Sequence, residues 1–93
     1  MSKVKLEGYI LVPDFDLESV AEELQNHIRL TREEEGCLVF EVSQDNADLN
    51  RFYVYEEFTN QDTFELHQQR VKDSKLRNIS SNVERHYKIS SIE

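Results

Sequence analysis

The chain reads as an α+β domain of order β-α-β-β-α-β, a four-stranded antiparallel sheet with its helices on one face. Three observations predict it. Apolar residues alternate over residues 4–12. A helical apolar stripe runs from Leu17 to Thr31 and meets a glycine at Gly36. Two strand-like runs, residues 37–44 and 52–58, are separated by the polar stretch 45–50.

The first strand places Val4, Leu6, Ile10 and Val12 on one side and Lys5, Glu7, Tyr9 and Leu11 on the other, and Pro13 ends it because proline has no N–H for the ladder. Asp14 and Asp16 offer carboxylates to cap a helix. Leu17, Val20, Ala21, Leu24, Ile28 and Thr31 then recur at helical spacing, and the helix is expected to stop at Gly36. Glu33, Glu34 and Glu35 read as a solvated helix end. In the second strand Leu38, Phe40 and Val42 oppose Cys37 and Val39; in the third Phe52, Val54, Glu56 and Phe58 oppose Tyr53 and Tyr55. Thr59 or Asn60 caps the next helix, with Thr59 and Asp62 spaced as a capping box. Phe64, His67 and Val71 share its inner face. Residues 71–82 read as weaker helix and 83–92 as the last strand, with Val83, Tyr87 and Ile89 on one side and His86 on the surface. The order is ferredoxin-like.

At 93 residues, one domain spanning 1–93 is expected. The net charge of −8 argues against nucleic acid and against an anionic membrane surface as partners. Cys37 is the only cysteine, so no intrachain disulfide forms and the residue reads as a small buried hydrophobe. No apolar run reaches the ~20 residues of a membrane span and no signal peptide is visible, so a cytoplasmic location is the default. Two helices cover one sheet face only, yet Tyr53 and Tyr55 of the third strand and Cys37 and Val39 of the second lie on the other. That face is expected to be buried in a two-fold homodimer.

His27, His67 and His86 have no metal-ligand spacing, and the two glycines form no phosphate loop, so no metal and no nucleotide cofactor is expected. The candidate pocket lies between sheet and helices. His67 and Glu56 are expected to converge there, with His27 at the edge of the first helical stripe. Burial should raise the Glu56 pKa, and a nearby carboxylate should favour charged His67. Pairing of Glu56 with Arg51 or Arg70 is the purely structural alternative.

The run Glu34-Glu35-Gly36-Cys37-Leu38-Val39-Phe40, followed by Arg51-Phe52-Tyr53-Val54-Tyr55-Glu56-Glu57-Phe58 and by Leu66-His67, resembles the antibiotic biosynthesis monooxygenase family. The resemblance implies a dimeric α+β barrel and a small-molecule substrate. Some members oxygenate aromatic polyketides or quinols without metal or flavin, which makes a cofactor-independent monooxygenase of a small hydroxylated aromatic or quinol-like metabolite the expected activity. His67 and Glu56 would then handle protons, with His27 as a third candidate. Phe40, Phe58, Phe64 and Val54 would shape the substrate pocket. The asparagine and tryptophan that oxygenating members carry on the third strand are Val54 and Phe58 here, and their helical tyrosine corresponds roughly to Phe64, so those polar roles do not carry over. A second branch includes an isomerase of a phosphorylated quorum-sensing sugar derivative. In that reading His27, Glu56 and His67 transfer protons while Lys72 and Arg70 hold a phosphate. A non-catalytic small-molecule-binding dimer is the third expectation.

Overall fold

The computed structural model describes residues 2–79 and 81–92. Strand β1 (Lys3–Leu11) is followed by a short 3-10 turn (Asp14–Asp16), helix α1 (Leu17–Arg32), strands β2 (Cys37–Gln44) and β3 (Arg51–Phe58), helices α2 (Gln61–Lys72) and α3 (Lys75–Ile79), and strand β4 (Glu84–Ile92). The strands form one antiparallel sheet in the order β2-β3-β1-β4. The β-α-β-β-α-β plan is therefore present, with α3 as an addition.

The inner face follows the alternation of the sequence. Two apolar clusters divide it. Val20 and Leu24 of α1 pack with Ile10, Val12, Phe52 and Val83, and Phe64 of α2 packs with Val4, Leu6, Val54 and Phe58. Each fully buried large side chain contributes about 1.5–3 kcal/mol, so these clusters supply the main drive to fold. Buried polar groups also lie on this side of the molecule: His27, Glu56 and His67.

Four local expectations are corrected. Neither Asp14 nor Asp16 caps α1 through its side chain; Asp14 instead accepts a hydrogen bond from Asn50 Nδ2 at 2.7 Å. The α1 helix ends at Arg32, not at Gly36, and a turn of residues 33–36 leads into β2. Asn60 caps α2 by accepting from the Thr63 N–H at 2.9 Å, whereas the Thr59 N–H goes to the Gly36 carbonyl, so the Thr59–Asp62 box does not form. Helix does not run unbroken from residue 71. The Ser74 hydroxyl donates to the Val71 carbonyl and accepts from the Arg77 N–H, which closes α2 and opens α3. Ser80, inside that predicted stretch, lies outside the described residues.

A β-bulge between Cys37 and Val39 corrects a fifth point. Cys37 pairs with Phe58 and Phe40 with Glu56, so both face the helices, while Leu38 is the extra residue and is 48% exposed. Alternation across an unbroken strand would have put Cys37 outside.

Gly36 has φ +89°, and a Cβ there would lie 2.5 Å from Thr63 Cβ. Both the left-handed backbone and the approach of α2 require glycine. Gly36→Ala is expected to cost about 1–3 kcal/mol, read as a lowered denaturation midpoint at unchanged m-value.

Candidate active site

The α1 stripe brings Val20, Leu24, His27 and Thr31 inward at steps of four, three and four. One further step of three reaches Glu34, in the turn after the helix. From α2, His67 enters beside Phe64; from β3, Glu56 enters between Val54 and Phe58. These elements meet around a cavity of about 110 Å³ whose wall includes His27, Phe40, Val54, Glu56 and His67.

His67 is buried, and its two ring nitrogens face two carboxylates. Nδ1 lies 2.7 Å from Glu34 Oε2, and Nε2 lies 3.6 Å from Glu56 Oε1. The Glu34 carboxylate also accepts from Arg70 Nε, and the Arg70 guanidinium donates to the buried Thr31 hydroxyl at 2.9 Å. A carboxylate so placed accepts only. His67 therefore donates through Nδ1–H and presents the Nε2 lone pair toward Glu56. Phe58 stacks on the imidazole at 4.9 Å between ring centres, and Phe40 and His27 lie at 6.0 and 5.9 Å.

Glu56 Oε1 is buried without a hydrogen-bond partner among the described residues. Burial, followed by the negative charge of Glu34, raises the Glu56 pKa to about 7. Burial also dominates at the histidines. It lowers His27 to about 4, reinforced by Arg70 and His67. It lowers His67 as well, although the Glu34 hydrogen bond pulls the other way. The expected charged His67 is thus corrected: a carboxylate is present, but desolvation outweighs it. Near neutral pH the site holds two neutral imidazoles and a carboxyl group poised between its two forms.

The structure brings His27, His67, Glu56, Phe40 and Val54 to one cavity. Phe58 and Phe64 stand outside its wall; Phe58 braces His67, and Phe64 packs edge-on against Phe58 at 5.8 Å. Lys72, at the end of α2, is exposed and does not line the cavity. Arg70 is engaged by Glu34 rather than by Glu56. The reading of residues 33–35 as a solvated helix end fails at Glu34, whose side chain is only 20% exposed. The signal was available, because the helical stripe extended by one step lands on it.

Removing this carboxylate strands the His67 Nδ1–H and the Arg70 guanidinium. Glu34→Ala is expected to cost about 2–3 kcal/mol, lowering Tm by roughly 10 °C or more in thermal denaturation. In a double-mutant cycle with His67→Ala the two costs should be strongly non-additive.

Among the described residues, no helix is long and apolar enough to cross a membrane, and no group of three or more His, Cys, Asp or Glu is placed to hold a metal ion. No curated protein matches the sequence. Three solved structures align along nearly the whole chain. A conserved protein of Bacteroides thetaiotaomicron is 16% identical with a TM-score of 0.84, covering 98% of both chains. PA3566 of Pseudomonas aeruginosa is 23% identical with a TM-score of 0.74, covering 99% of this chain and 93% of its own. A structure described as an antibiotic biosynthesis monooxygenase is 17% identical with a TM-score of 0.77, covering 100% and 97%. At such identities the likeness speaks for the fold. The family model described as antibiotic biosynthesis monooxygenase matches residues 6–72, which include β1 from Leu6 and every polar residue of the Glu34–His67–Glu56 chain, and the protein belongs to that family.

Proposed function

We propose that this protein is a cofactor-independent monooxygenase acting on a small hydroxylated aromatic or quinol-like metabolite. The observation that carries the reading is the unpartnered Glu56 oxygen, buried in the cavity wall and facing the lone pair of His67. A buried carboxylate oxygen without a partner is costly to keep, and a substrate hydroxyl would complete it. Glu56, with its pKa near the working pH, accepts the hydroxyl proton. His67 Nε2 faces the protonated acid, and Glu34 fixes the ring through Nδ1. The resulting electron-rich anion reduces dioxygen. One oxygen atom enters the product, the other leaves as water, and the substrate supplies all four electrons. Phe40 and the apolar wall keep the anion away from bulk water.

The test is oxygen uptake with a panel of quinols and phenols, and mass spectrometry of product formed under ¹⁸O₂. One labelled atom per product is expected, with no turnover when oxygen is removed. Turnover that persists without oxygen would select proton-transfer isomerisation, which the juxtaposed Glu56 carboxyl and His67 imidazole also support.

We further infer that the outer sheet face closes a homodimer. Tyr9 stacks against His86 at 4.7 Å and lies beneath the Arg51 guanidinium at 4.5 Å, while Tyr53 is 41% exposed. These aromatics make a patch suited to burial against its own copy. Sedimentation at micromolar concentration should give a dimer for the natural chain and a folded monomer for Tyr9→Asp. A monomeric natural chain would rule the dimer out.

A further inference from the structure

The same cavity has a second chemical character. Its wall away from the Glu56–His67 contact includes Arg77 from α3 and Arg85 and Tyr87 from β4. Arg85 and Tyr87 pair with Ile10 and Gly8 of β1, so they occupy the helix-covered side of the sheet, where alternation calls for apolar residues. Arg85 is held in place: it donates to the Val83 carbonyl at 3.2 Å, and Tyr87 stands beside it on the same face of β4. Arg77 is close enough for its charge to bear on both. Two guanidinium groups thus line a small cavity in a chain of net charge −8.

We propose that Arg77 and Arg85, with the Tyr87 hydroxyl, form a subsite for an anionic group of the substrate, a carboxylate or a phosphate. The inference rests on reading the cavity as the substrate site. Guanidinium forks match the oxygens of either anion, and an already oriented arginine loses little entropy on binding. The geometry also sets the direction of binding. Strand spacing and register put the Cα atoms of Glu56 and Tyr87 roughly 12 Å apart. An acidic group is repelled at the Glu56 end and attracted at the arginine end, so the neutral, ionisable end of the ligand is delivered to Glu56. The anion-holding role expected of Lys72 and Arg70 moves to these residues, since Lys72 lies outside the cavity wall and Arg70 is bound to Glu34.

The test is calorimetric titration with benzoate, phenyl phosphate and benzyl alcohol. None carries a phenol or quinol hydroxyl that Glu56 could deprotonate, so the result does not depend on proton transfer at Glu56. At least one anion should bind tenfold or more tightly than the neutral alcohol; benzoate preferred over phenyl phosphate identifies a carboxylate, the reverse a phosphate. The preference should fall below threefold in Arg85→Gln and return in part in Arg85→Lys. Arg77→Gln, a change at an exposed residue, should reduce it likewise and keeps the test open if Arg85→Gln fails to fold. Equal binding of all three probes, or an anion preference unchanged in the folded glutamine variants, would overturn the proposal.

Discussion

Replacing Glu56 by glutamine is expected to lower kcat by about 10²–10⁴-fold, the usual worth of a positioned general base. Glutamine keeps the shape of the side chain. It cannot take a proton. Because Glu56 Oε1 has no hydrogen-bond partner among the described residues, the amide disturbs no bond that exists. The pH profile gives the sharper reading. In the proposed reaction the carboxylate is the active form, so the natural protein should gain activity as pH rises through about 7 and then level off. In the variant this limb should vanish. A KM effect at unchanged kcat would reduce Glu56 to a binding group. Unchanged kcat with the limb retained would remove it from the mechanism. Replacing His67 by alanine should act through the same limb, since the imidazole lies between the acid and Glu34.

Much of this site was legible in the sequence because it obeys simple periods. Glu56 shares the parity of Val54 and Phe58 along a strand, and His67 shares a helical face with Phe64, so a sheet covered by helices brings the two together. The two faces of the first strand follow from alternation alone. Legibility failed where a tertiary contact overrides local pattern. The bulge at Leu38 turns Cys37 inward, and nothing in the run Cys37-Leu38-Val39 announces an extra residue. Three consecutive glutamates resemble a solvated end, yet only Glu35 and Glu33 behave so; Glu34 is turned inward by the stripe it continues. Ser74 breaks a helix whose neighbours are ordinary helix formers, through side-chain bonds of its own. The arginines are illegible for a different reason. Arg85 has the parity of Val83, Tyr87 and Ile89, but apolar periodicity carries no signal for a charged residue beside a cavity.

The same variant should be more stable than the natural chain at alkaline pH. Folding raises the Glu56 pKa from an ordinary 4.5 to about 7, chiefly by burial. Between these values the folded state holds a proton that the unfolded state has released, so this group's stabilisation is complete below pH 4.5 and is lost as pH rises to 7. The loss amounts to about 1.4 kcal/mol per pH unit, or about 3 kcal/mol in all. His27 works in the opposite sense. Its pKa falls from 6.5 to about 4 on burial, so the unfolded state holds the extra proton and stability rises with pH across that window. His67, also lowered, adds to the rising side. In the natural chain the Glu56 and His27 contributions oppose each other between pH 4.5 and 6.5. Each variant should expose the slope that its residue conceals. The stability difference between Glu56→Gln and the natural chain should grow steadily in favour of the variant from pH 4.5 to 7 and then stay constant. His27→Gln should leave a chain whose stability falls more steeply over the same range. Urea titrations at half-unit pH intervals measure both differences directly. A Glu56→Gln difference that does not vary with pH would mean that the carboxyl group titrates alike in the folded and unfolded chain, and the acid–base role would lose its physical basis.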